Sequence, residues 1–327
     1  MRLTLPHNSS SIPRPVTRTI HAQSILLMLL LAIIWGLSIP ITKIGLNTVS
    51  PLQLTVLRFA IAVPPCLFLL IGKTKLSLHA ILKNAALGIL GIGIGQLAQS
   101  FGVAHTSASV GTVISAAIPL FVVIFAAFHL KQPVSTQQKI GLLAAFVGIS
   151  VIALVRKGEG TEVDPSNLMG ALLLLLSAVA IAIYYVWSVD LTKHYGAIAV
   201  SAWSTLFGFL SLVPWAWRDM ADAALNLTME ATLCAAYLGL LVTVAGLFIW
   251  LDILKSVPAR IAASIQYLQP LIGIFAAAWL LDEKLDSIFA FGVALVLCGI
   301  GLAIHETKEN SVSNHEHAPN MRSMNDE

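Results

Sequence analysis

The chain has 327 residues, 57% of them hydrophobic and 11% charged, with a mean hydropathy of +0.86 and a formal net charge of +3. Soluble domains carry about 25% charged residues, and 19 basic plus 16 acidic side chains cannot wrap a 34.9 kDa globule in a polar shell. A water-soluble fold is excluded, and the basic residues lie scattered through short connectors, without the phosphate-neutralising face that a nucleic-acid partner requires.

In chain order, a polar tail (1–23) carries Arg2, Arg14 and Arg18, and the first apolar run begins at Ser24. No small-x-small cleavage pattern follows it, so it is predicted to be a membrane helix and not a signal peptide. At about 1.5 Å per residue it is long enough for roughly 30 Å of hydrocarbon. Apolar stretches then succeed one another almost without a gap, and ten spans are predicted at 24–44, 51–71, 80–101, 107–128, 137–155, 168–190, 197–217, 231–252, 260–281 and 287–305. A second polar tail, 306–327, follows. The spans must be helices, because lipid offers the backbone no hydrogen-bond partner and the continuous apolarity does not match alternating barrel strands.

Lys and Arg counted by connector divide thirteen to five in favour of the side that holds both tails and the 72–83 connector, with Arg58 left inside the second span. The positive-inside rule therefore predicts a cell-membrane protein with both termini in the cytoplasm. The chain also repeats itself. A slide of 151 positions lays Leu87-Gly88 on Leu238-Gly239, Pro119-Leu120 on Pro270-Leu271, Gly141 on Gly292 and Gly148 on Gly299. Five spans per half is an odd number, so the halves enter the membrane from opposite sides. The predicted fold is all-α: ten transmembrane helices as two inverted five-helix repeats, 24–155 and 168–305, joined by an outer linker at 156–167.

The sequence resembles the ten-helix EamA-type branch of the drug/metabolite transporter superfamily over roughly 24–305. The carriers of the resemblance are Trp35-Gly36 with Lys43, Leu57-Arg58-Phe59, and Gln269-Pro270-Leu271 running through Leu281-Asp282-Glu283-Lys284-Leu285 to Gly292 and Gly299. It implies a monomeric carrier that moves small metabolites or drugs by alternating access, often outward. One departure stands out: the acid expected after the fourth span is replaced by Lys131-Gln132-Pro133, and only Glu283 keeps it in the second half.

No enzyme motif is present: there is no zinc HExxH, no GxSxG, and Gly72-Lys73-Thr74 lacks the upstream glycine of a phosphate loop. Neither a metal site nor a cofactor is expected. Cys66, Cys234 and Cys298 fall in apolar runs as small hydrophobes. The spans that the resemblance places around a central cavity contribute Trp35, Ser38, Gln96, Gln99, Ser115, Tyr184, Trp187, Ser188, Trp203, Trp250, Gln266 and Tyr267. Singly these are ordinary interhelical packing residues; together they describe an amphipathic pocket suited to a neutral, zwitterionic or aromatic solute such as an amino acid.

Arg58 either snorkels toward the outer surface or steers an anionic or zwitterionic group. Asp190 and Asp252 each precede a lysine by three residues, Lys193 and Lys255, which suggests local interfacial pairs. Alternatively, Asp252 couples transport to protons. Gly91 and Gly95 make a small-xxx-small face, and Pro119 and Pro270 are candidate hinges. A facilitator or exchanger of the same fold and a non-transporting scaffold or receptor remain the alternatives.

Overall fold

Proline decides where the first helix pauses. Pro40 has no amide hydrogen for the Gly36 carbonyl, so α1 (Ala22–Gly36) ends there and α2 (Ser38–Gly45) resumes one residue later. Ser38 Oγ donates to the Trp35 carbonyl at 2.6 Å, covering an acceptor that the break leaves free. The computed structural model describes residues 22–71, 76–131, 134–155, 165–222, 227–256 and 265–305, and the side chains of Asp252, Gln266 and Tyr267 fall outside that description.

After α3 (Pro51–Phe68), the third helical stretch joins α4 (Leu78–Gly88) and α5 (Gly95–His105) through a π-helical segment, Ile89–Ile94. Next come α6 (Ala108–Ser115), α7 (Ile118–His129) and α8 (Thr136–Val155). The following helices are α9 (Pro165–Trp187), α10 (Val189–Tyr195) and α11 (Ala197–Asp222). A second π-helical segment, Tyr237–Ala245, lies between α12 (Met229–Ala236) and α13 (Gly246–Ser256). The last helices are α14 (Ile265–Leu280) and α15 (Ser287–His305). Among the described residues there is no strand. Among the described residues, seven helical stretches are long and apolar enough to cross a membrane, and three shorter apolar helices lie at Thr136–Ile152, Leu268–Leu280 and Ser287–Leu302. Several predicted continuous spans are thus interrupted, by prolines or by wide turns that hydropathy does not register.

The 151-residue offset recurs in local structure. Leu37 and Ser188 are the breaks that follow α1 and α9. Ser77 and Thr228 cap α4 and α12 by accepting the amides of Ala80 and Ala231, at 3.3 and 3.1 Å. Ser135 and Asp286 accept from the amides of Gln138 and Phe289, at 3.2 and 2.6 Å. Lys131 and Asp282, with φ of 54° and 51°, both turn the chain through the left-handed region.

Packing follows the same exchange. α9 lies against α5 and α7 as α1 lies against α13 and α14; α11 packs on α4 as α3 packs on α12; α3 meets α11, and α8 meets α15. The last seam is built on glycine. A Cβ at Gly148 would stand 2.7 Å from the Gly292 carbonyl, and one at Gly299 would stand 2.5 Å from that of Gly141. The expected Gly91/Gly95 face packs on α9, against Tyr184 and Ile181.

Leu271, Phe275 and Trp279 form a stripe along α14 at i, i+4 and i+8, the last two 72% and 74% exposed. Water would not tolerate that stripe, together with exposed Phe68, Phe128 and Trp217, on a monomer; lipid would.

Candidate functional site

Four helical stretches bring polar side chains together around Arg58 of α3. Its Nε donates to Thr243 Oγ1 at 3.2 Å and its Nη1 to Gln96 Oε1 at 2.8 Å. Thr243 sits in the second π-helical segment, and its hydroxyl in turn donates to the Leu238 carbonyl five residues back, at 2.8 Å. The wide turn leaves that carbonyl reachable, and the hydroxyl that covers it keeps a lone pair for the guanidinium. Tyr185 of α9 interacts electrostatically with Arg58 and is 52% exposed, although helices surround it.

One turn along α5 from Gln96, Gln99 Nε2 donates to Ser115 Oγ at 3.4 Å. Trp35 of α1 donates its indole hydrogen to the Val242 carbonyl at 3.1 Å and tilts against Trp250, with ring centroids 5.9 Å apart. Thus Arg58, Gln96, Gln99, Ser115, Trp35 and Trp250 line one stretch of the bundle interior, and all remain partly accessible.

Other candidates serve packing. Tyr184 is buried and hydrogen-bonds with Ser201 and Ser204, and Ser204 Oγ donates to Asn84 Oδ1 at 2.7 Å. This network, buried at Asn84, Tyr184 and Ser204, ties α4, α9 and α11 together. Trp203 packs on the apolar cluster beside it and stacks on Phe207. Trp187 stacks on His129 at 4.3 Å, near the end of α7, and Ser188 Oγ donates to the Tyr185 carbonyl at 3.1 Å. Pro119 lies in the first turn of α7, just after the break at Ala116–Ala117, whereas Pro270 stands inside α14, so only the first candidate hinge adjoins a break. Asp190 and Lys193 do not pair: both are exposed, and the Asp190 carbonyl contacts His194 Nδ1 instead, at 2.8 Å.

Two residues that the sequence marked only as carriers of the resemblance, with no site role, complete the picture. Lys43 Nζ donates to the carbonyls of Val103, Ala104 and Thr106, at 2.9, 3.1 and 2.6 Å, where α5 ends. Glu283 accepts from the amides of Ala108 and Ser109, at 2.6 and 3.0 Å, and from Ser109 Oγ at 2.5 Å, where α6 begins. At this end α2 packs against α5, α6, α12 and α14; at the matching end α10 packs mainly on α9 and α11 among the described residues. Among the described residues, no group of three or more His, Cys, Asp or Glu side chains could hold a metal.

The chain matches the EamA-like transporter family over residues 22–154 and 168–304. An uncharacterized transporter of Archaeoglobus fulgidus is 27% identical over 274 residues, covering 83% of this chain and 95% of its own. A protein of Escherichia coli (strain K12) named "Probable amino-acid metabolite efflux pump" is 26% identical over 284 residues, covering 84% of this chain and 92% of its own. One crystal structure, at 17% identity, superposes with a TM-score of 0.60 over 91% of this chain and 100% of the other, which shows a shared fold.

Proposed function

The chain belongs to the EamA-like transporter family, and from that premise we propose that it is a cell-membrane carrier that exports a small metabolite by alternating access. Its ten spans form two inverted five-helix repeats, 24–155 and 168–305, with both termini cytoplasmic, and it works as a monomer. The solute is neutral, zwitterionic or aromatic, an amino acid being the first candidate. Support for the inverted repeat comes from the two separate family matches and from caps, breaks and helix contacts that recur at one offset. Relatives in Escherichia coli and Salmonella typhimurium, each 26% identical, are named as amino-acid metabolite efflux pumps, which supports the direction and solute class.

The observation that carries the reading is the gathering of one end of the bundle around Lys43 and Glu283, where α2 packs against α5, α6, α12 and α14, as in a carrier held in one of two access states. With the termini inside, the gathered end is the outer one. Purified protein in proteoliposomes gives saturable, competable flux of radiolabelled amino acids if this is right. A scaffold or receptor gives none under any gradient.

A further inference from the structure

Arg58 holds a positive charge between the halves, and its partners among the described residues are neutral: Thr243, Gln96 and the Phe59 ring, 5.2 Å from the guanidinium carbon. A guanidinium has five N–H donors, and the protein accepts two, through Thr243 and Gln96. No carboxylate among the described residues pairs with it. A charge so placed costs several kcal/mol unless something compensates it, and neutral hydrogen bonds do so only in part. Evolution had a cheap exit, since an uncharged side chain would pack here at no electrostatic cost.

The pattern of used and unused donors indicates what completes the site. Thr243 occupies Nε, which closes the side-on approach through Nε and Nη2. On the end-on side, Nη2 bonds to nothing among the described residues, and Nη1, which gives one hydrogen to Gln96, keeps a second. Gln96 contributes its Oε1 to Arg58 and so turns its NH2 group, with two further donors, to the adjacent space. Tyr185, half-exposed on α9, also interacts electrostatically with Arg58. The set is donor-rich and carries one positive charge, which matches a monoanion with two coplanar oxygens; a phosphate dianion would keep an uncompensated charge.

We propose that Arg58, with Gln96 and Tyr185, is the carboxylate anchor of the transported solute: the substrate presents a carboxylate end-on to Nη1 and Nη2, and solutes without one are rejected. This rests on the carrier reading above and narrows its solute class from neutral, zwitterionic or aromatic to carboxylates, as zwitterions or monoanions.

The test uses the full chain, in detergent and in proteoliposomes, with the twenty L-amino acids, benzoate and phenylacetate as probes, each acid compared with its own amide. At least one acid raises the melting temperature and exchanges across the vesicles, and its amide binds at least tenfold more weakly. Arg58→Gln abolishes that discrimination and, without solute, melts no lower than wild type, because the costly charge is gone. Arg58→Lys keeps the preference with at least tenfold weaker binding, since an ammonium cannot present two coplanar donors. Tyr185→Phe lowers affinity severalfold. An amide that binds and moves as well as its acid overturns the anchor and leaves the carrier standing; that comparison uses wild-type protein and holds even where a variant fails to fold. An Arg58→Gln protein that still prefers the acid has the same consequence. If folded wild-type protein exchanges neither acids nor amides, the anchor and the carrier reading fall together.

Discussion

Lys43 and Glu283 grip the same turn from opposite sides without needing to touch each other: the cation covers the last carbonyls of α5 and the anion covers the first amides of α6. Each charge meets the helix end of complementary polarity. The turn and Lys43 belong to the first half of the chain and Glu283 to the second, so Glu283 is one tie between the halves at Thr106–Ser107.

Glu283→Gln removes the charge that shortens those contacts and leaves only one acceptor oxygen. A loss of about 1.5–3 kcal/mol is expected, the range for hydrogen bonds to a charged group. It should appear as a lower melting temperature of the detergent-purified protein, with Ser109→Ala giving a smaller drop. A melting curve unchanged in both variants would show that the clamp contributes nothing.

The glycine seam between α8 and α15 makes a second claim. Gly148→Leu or Gly299→Leu must push two helices apart, at a cost of at least the roughly 1–3 kcal/mol typical of overpacking. The yield of monodisperse protein in gel filtration should collapse. Leu143→Ala, on the same helix but 67% exposed, should leave that yield as it was.

At the crossing of α1, α6 and α14, Thr112 Oγ1 and Gln269 Nε2 are buried without a hydrogen-bond partner among the described residues. A buried unpaired hydroxyl costs about 1–3 kcal/mol. Thr112→Val keeps the shape and deletes that hydroxyl, so it should match or exceed wild type in thermal stability. A clear loss would mean that the hydroxyl has a partner in another access state.

Orientation is open to direct chemistry. In a background without the three native cysteines, single cysteines at positions 8, 75 and 315 should resist a membrane-impermeant reagent applied to sealed cells. Labelling at any of them from outside would invert the topology, and the gathered end of the bundle would become the inner one.

Asp252 is the candidate for proton coupling. Asp252→Asn keeps the approximate shape and removes the ionisable proton, so proton-driven accumulation should disappear while solute exchange survives. If gradient-driven transport and its pH dependence persist, an uncharged exchange route through the interior is the better account.

Much of the fold was legible in the sequence because its signals are local or periodic. Apolar runs of membrane length mark the helices, and Gly141, Gly148, Gly292 and Gly299, which mark the repeat in the sequence, meet in one antiparallel seam. The site was only half legible. Tyr184 and Tyr185 are neighbours whose side chains leave the helix about 100° apart, and composition cannot say which looks inward; packing gives the buried network to Tyr184 and the approach to Arg58 to Tyr185. Thr243 was invisible for another reason: inside an apolar run it reads as a residue that satisfies its own backbone, and only the π-helical turn gives its hydroxyl a second task.

The two π-helical segments also bear on ancestry. A π turn arises when a helix absorbs one extra residue without disturbing its flanks. Had that residue entered one half after a duplication, the offset between the halves would step by one across it. Leu87-Gly88 before the turn and Pro119-Leu120 beyond it keep the same distance from their counterparts Leu238-Gly239 and Pro270-Leu271. On the duplication reading, therefore, the wide turn is older than the doubling of the gene, and the single-unit ancestor already possessed it.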